Sequence, residues 1–138
     1  MFGSDRGELR RMYANAWQRA LQQVELTALE REIVAVIRDH PEYRSIVESQ
    51  LGDAPPDDAK VAQAFLHMGL HLAVREQLST DRPKGIRDIF HKLIEHSQDS
   101  HTVEHRCAEV LGDCMWQAQQ AGRMPDEQGY LERLRALL

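Results

Sequence analysis

Apolar residues recur at helical spacing along almost the whole chain, and this period constrains the fold more than any other feature of the sequence. One apolar face is repeated at steps of three and four residues in segment after segment, as at Ile86, Ile89, Phe90 and Leu93. Alternation of apolar and polar residues, which would indicate strands, does not occur. The sequence therefore predicts an all-α protein, a compact bundle of five to six helices.

Local signals place the ends of the second helix. Thr27 and Glu30 are spaced as a capping box, which predicts that a helix begins at the next residue, Ala28. The same helix should stop at His40, because a residue that precedes proline, here Pro41, avoids the helical conformation.

A loop is predicted at residues 50–59, where the stretch QLGDAPPDDA contains a glycine, two prolines and three aspartates. The segment before this loop has about 50 residues and would be only marginally stable alone. We therefore expect residues 1–138 to form one helical-bundle domain, with a long helix from about Lys60 to Leu78 after the loop.

Charge and hydropathy exclude several classes of protein. The chain carries 17 Lys and Arg against 22 Asp and Glu, a formal charge of −5, which argues against a nucleic-acid partner. Its longest stretch without a charged residue, Val61–Val74, is too short to span a bilayer, and the first residues lack the apolar core of a signal peptide. We expect no membrane partner and a cytoplasmic location. The absence of a Gly-rich phosphate loop indicates no nucleotide cofactor.

The two cysteines, Cys107 and Cys114, lie seven residues apart in one predicted helix. Seven helical residues separate the two Cα atoms by roughly 10 Å, which is beyond the reach of a disulfide. The spacing therefore predicts two free thiols on one helical stripe.

Four of the seven histidines form two His-x-x-x-His pairs: His67 with His71, and His101 with His105. Residues four apart on a helix stand on the same face, about 5–6 Å apart at Cβ, so that both imidazoles can reach one metal ion. Glu104 falls within the apolar arc of its helix, where a carboxylate must be paired, protonated or bound to a cation.

The favoured hypothesis is a buried metal site on facing helices, with His67, His71, His101 and His105 as ligands. Glu104 would be a further ligand or a catalytic base, and His40 a further ligand from the end of its helix. Imidazoles with a carboxylate suit Zn²⁺, Fe²⁺, Ni²⁺ or Mn²⁺, and the spacing does not choose among these metals. An open coordination position would allow hydrolytic or redox chemistry, whereas a filled site would be structural.

A second hypothesis assigns no metal to these side chains. A small acidic helical protein without a nucleotide loop or nucleophile motif also fits an interaction or adaptor protein, with a protein partner or a second copy of itself. The histidines would then be core or interface groups, and the nitrogens of His67 and His71 would hydrogen-bond to oxygens.

Several longer strings point to one family. The strings FLHMGLHLAVREQ, TDRPKGI, RDHPEY and WQAQQAGRMPDEQGYL make the chain resemble small proteobacterial proteins grouped as domain of unknown function 1841. The resemblance runs from MFGSDR to the C-terminal leucines, and the segment at 50–59 is the most individual part. It implies a compact bacterial cytosolic protein, and it implies no activity.

Overall fold

The chain is all-helical, as the apolar period predicts. A computed structural model describes residues 2–97 and 99–138, with side chains from Arg6 onward, and these residues contain no strand. They form seven α-helices and one 3-10 helix: α1 Phe2–Leu21, α2 Ala28–Arg38, the 3-10 helix Pro41–Tyr43, α3 Arg44–Ser49, α4 Ala59–Thr80, α5 Ile86–Ser97, α6 Ser100–Ala121 and α7 Glu127–Arg135.

The predicted number of five to six helices is too low. The described residues hold seven α-helices, and two of them, Arg44–Ser49 and Glu127–Arg135, have only six and nine residues. Helices this short contain fewer than three turns, so the apolar period that identifies a helix hardly repeats within them.

The chain divides into two compact units, Met1–Leu72 and Ala73–Leu138, and the division falls within α4. The loop predicted at 50–59 lies inside the first unit, between the end of α3 at Ser49 and the start of α4 at Ala59. A single domain over 1–138 stays a prediction. None of the helices in the described part of the chain is long and apolar enough to cross a membrane.

In the first unit, α1 packs against α2 and α3. The capping box predicted for α2 is present: the Thr27 side chain accepts from the backbone N–H of Glu30, and the Glu30 carboxylate accepts from that of Thr27. The buried face of α2 then joins a core with residues from α1, α3 and α4, which includes Tyr13, Trp17, Ile33, Val34, Val36, Ile37, Val47, Val61, Phe65 and Met68.

The loop of the first unit is held by an ion pair. Arg10 on α1 is buried and donates from Nη1 to Oδ1 of Asp57 over 2.6 Å. The guanidinium also lies 5.5 Å from the centre of the Phe65 ring. Hydrogen bonding to Arg10, and then its charge, lower the pKa of Asp57. This contact fixes the loop just before α4 begins.

In the second unit, α6 packs against α5 and α7. Asp99 caps the start of α6, and Gly122 ends it in the left-handed conformation with φ of 66°. Cys107 and Cys114 are both free thiols on α6, as their spacing predicts.

Gly69 lies in the interior of α4, between His67 and His71. A glycine inside a helix can allow a neighbouring helix to approach closely. Apart from the adjacent residues and the nearby backbone of α4 itself, however, no atom of the described residues lies within 4 Å of the position that a Cβ would take. Glycine therefore gains nothing there from close packing, and it retains its cost in backbone entropy.

We predict that Gly69→Ala raises the free energy of unfolding by up to about 1 kcal/mol, the difference in helix propensity between the two residues. Denaturant unfolding of the two proteins measures the change, and Ala62→Gly on the same helix should lower stability by a similar amount. A lower stability for Gly69→Ala would show that the methyl group meets an obstacle.

Candidate metal centre

His40 stands where Pro41 ends the helical path of α2. The helix ends at Arg38, Asp39 caps it, and His40 leaves the helical region with φ −128° and ψ 66°. This agrees with the expected effect of proline on the preceding residue, and it places the end of α2 within two residues of the prediction. The side chain of His40 is buried, with 4% of the residue exposed.

The break leaves one carbonyl of α2 without its helical donor, and the His40 side chain replaces it. In a continuing helix, the carbonyl of Val36 would accept the backbone N–H of residue 40. The N–H of His40 instead donates to the carbonyl of Ile37 over 3.0 Å. Nδ1 of the imidazole lies 2.8 Å from the Val36 oxygen and takes the vacated position.

This hydrogen bond fixes the tautomer of His40. A carbonyl oxygen can only accept, so Nδ1 carries the proton and Nε2 carries the lone pair of the neutral ring. Metal-binding histidines characteristically donate their second ring N–H to a backbone carbonyl or a carboxylate, which orients the ring and makes its other nitrogen a better ligand. His40 has the arrangement of such a ligand.

His67 and His71 come together as their spacing predicts. Both lie on α4, their ring centres are 4.6 Å apart and their planes are inclined by 52°. His71 is fully buried and His67 is half-buried. Met68, which directly follows His67 in the sequence, is fully buried in the core of the first unit.

The three imidazoles form one cluster. The centre of the His40 ring lies 5.0 Å from that of His67 and 4.7 Å from that of His71. One nitrogen from each histidine lies within 4.8 Å of the other two. Zn–N bonds of about 2.0–2.1 Å in a tetrahedral site place ligand nitrogens about 3.3 Å apart. The clustered nitrogens would therefore have to move closer together to bind a common ion.

Tyr43 borders this cluster. Its ring lies parallel to that of His40, at 7° and 5.7 Å between centres, and edge-on to that of His67 at 72° and 6.0 Å. Burial, and then the charge of Glu42, raise the pKa of Tyr43. Sequence reasoning did not single out this residue, although HPEY places a histidine, a helix break and an aromatic ring within four positions.

The comparisons with known proteins identify a family. A family model described as "Domain of unknown function (DUF1841)" matches residues 5–136. The chain belongs to this family. The match covers all three clustered histidines and confirms the resemblance seen in the sequence. Among curated proteins and solved structures, no match is found.

In this DUF1841 protein, the other three predicted site residues lie on α6, in the second unit: His101, Glu104 and His105. Glu104 accepts a hydrogen bond from Nε of Arg75 over 2.9 Å, so the carboxylate in the apolar arc is paired, one of the three outcomes expected for it. Nε2 of His105 lies 2.8 Å from Oε1 of Glu109, and His101 is exposed. Over the described residues, the group that could hold a metal ion is His40, His67 and His71.

Sequence reasoning therefore finds two members of the cluster directly and treats the third, His40, as an addition. Sharing of the same ion by His101, Glu104 and His105 stays a prediction. So does the role of Glu104 as a base, and its carboxylate already accepts a charge-assisted hydrogen bond from Arg75.

The thiols of the DUF1841 protein differ in accessibility. Cys107 is 1% exposed, and burial, followed by the negative charge of Glu104, raises its pKa to about 12. Cys114 is half-buried, with its sulfur 3.6 Å from Nη1 of Arg133. Since the thiolate is the nucleophile, a buried thiol with a raised pKa reacts slowly.

We predict that iodoacetamide at pH 8 modifies native Cys114→Ser far more slowly than the wild type, because only Cys107 remains. Mass spectrometry of timed samples measures the rate, and Cys107→Ser should react like the wild type. Rapid modification of native Cys114→Ser would contradict the buried, protonated state of Cys107.

Proposed function

We propose that His40, His67 and His71 bind one divalent transition-metal ion. The observation that carries this proposal is the convergence of three imidazoles from two separate segments, with one nitrogen of each within 4.8 Å of the others. Pairs four residues apart arise readily in a helix, but the third ring comes from the end of α2, 27 positions away from His67 in the sequence. The tautomer of His40 supports the proposal independently.

The donor set indicates the class of ion. Three neutral imidazoles suit Zn²⁺, Ni²⁺ and Fe²⁺ better than Mn²⁺, which prefers oxygen ligands. Structural zinc sites have four protein ligands, whereas catalytic sites have three and keep one position for water or substrate. The number of protein ligands therefore bears on whether this site is structural or catalytic.

We predict that metal-free, untagged protein binds one Zn²⁺ per chain, and that His67→Ala weakens binding more than about 100-fold. Loss of an outer-shell partner already costs about 10–100-fold in affinity, and loss of a ligand should cost more. Competition with a chromophoric chelator measures the dissociation constant, and elemental analysis gives the stoichiometry. His67 is half-buried, so its truncation is milder for the fold than that of fully buried His71.

His91→Ala provides a matched control, because His91 is an exposed histidine on α5. It should bind Zn²⁺ like the wild type. Equal and weak binding by the wild type, His67→Ala and His91→Ala would exclude a specific site at the cluster. A double variant, His101→Ala with His105→Ala, tests the larger site: unchanged affinity would limit the ligands to the trio.

Metal binding should also stabilise the fold, since the ligands come from different elements of the first unit. At a free Zn²⁺ concentration 100 times the dissociation constant, we predict a gain of about 2.7 kcal/mol in the free energy of unfolding. Denaturant unfolding with Zn²⁺ and with a chelator measures this gain. It should disappear in His67→Ala, and a gain that persists there would place the ion elsewhere.

A second candidate function is that of an interaction or adaptor protein, with the histidines as structural groups. One observation favours it: each buried side-chain nitrogen and oxygen in the described part of the chain has a hydrogen-bond partner. Histidines satisfied in this way can remain in a core without a metal. This candidate predicts that Zn²⁺ leaves the unfolding free energy of the wild type unchanged.

A further inference from the structure

Tyr43 makes ring contacts with two of the three clustered histidines, in two different geometries. The flat face of its ring lies parallel to His40, and its ring is inclined by 72° to that of His67. Offset-parallel and edge-on contacts are the two favourable arrangements of aromatic rings, and centre distances of 5.7 and 6.0 Å lie within their usual range. A single side chain thus touches ligands from both segments of the proposed site.

The position of Tyr43 is itself fixed from two sides. Its backbone N–H donates to the carbonyl of His40 over 2.9 Å within the turn that Pro41 begins. Its side chain also packs against the hydrophobic core of the first unit. The backbone therefore ties Tyr43 to His40, while the core limits how far its ring can move.

We propose that Tyr43 is a positioning residue of the metal site, and that its ring sets the orientation of His40 and His67 for binding. This inference rests on the proposed function. Ligand nitrogens up to 4.8 Å apart must approach each other when an ion binds, so the rings have to turn. A parallel neighbour allows an imidazole to turn within its own plane and resists its tilting out of that plane. Tyr43 thereby restricts the orientations of the two rings before an ion binds, so that less conformational entropy is lost on binding.

The proposal assigns the effect to the aromatic ring and not to the hydroxyl group. Tyr43→Phe keeps the ring and should bind Zn²⁺ within about twofold of the wild type. Tyr43→Ala removes the ring and should weaken binding by about 10–100-fold, the usual effect of an outer-shell partner. Tyr43→Leu keeps apolar volume in case the alanine variant folds poorly, and it should weaken binding in the same direction.

Chelator competition with Zn²⁺ on the full chain measures these dissociation constants, and the absorption spectrum of the Co²⁺-loaded proteins reports ligand geometry. Ile46→Ala is the matched control, because Ile46 lies three residues away and packs against the same core. It should lower stability and leave the Zn²⁺ affinity unchanged.

Affinity and a Co²⁺ spectrum that are unchanged in both Tyr43→Ala and Tyr43→Leu would overturn the role of Tyr43 while leaving the metal site intact. An equal loss in Tyr43→Phe and Tyr43→Ala would also overturn it, since the hydroxyl group would then carry the effect. A wild type that binds no Zn²⁺ would instead refute the proposed function itself.

Discussion

The hydrogen bond between the imidazole of His40 and the carbonyl of Val36 links the fold of the first unit to its candidate site. Proline at position 41 prevents α2 from continuing, and the carbonyl of buried Val36 then needs a donor other than the next turn of the helix. The side chain of His40 supplies this donor through Nδ1. The interaction that completes the helix therefore also leaves Nε2 as the ring nitrogen of His40 that can bind an ion.

Burial gives the cluster its significance. A polar group transferred from water into a protein core costs free energy unless a hydrogen bond or a ligand compensates for it. His40 and His71 are 4% and 0% exposed, and the hydrophobic core of the first unit includes a fully buried neighbour, Met68. Apolar side chains would fill the same volume without this requirement. Three imidazoles in mutual contact therefore need partners for their ring nitrogens. Those partners can be hydrogen-bonding groups, which the buried nitrogens of the described residues have, or one ion that all three rings share.

The sequence predicts the helices well because their signals are local. The capping box at Thr27 and the break at Pro41 each act within a few residues, and both lie where the sequence places them. The pair of His67 and His71 is local in the same sense. His40 joins them only through the packing of the core, which brings the end of α2 beside α4, and no spacing in the sequence encodes that approach.

The two His-x-x-x-His pairs show what spacing leaves undetermined. Around His101 and His105, charged side chains are close by: Glu109 pairs with His105, and Arg75 pairs with Glu104. Around His67 and His71, the sequence is apolar on both sides, and the rings lie against each other, His40 and Tyr43. An imidazole beside a carboxylate can act as a partner in an ion pair, whereas imidazoles that lie against one another can bind one cation together. The surroundings of a pair, more than its spacing, therefore decide whether it is suited to bind a metal.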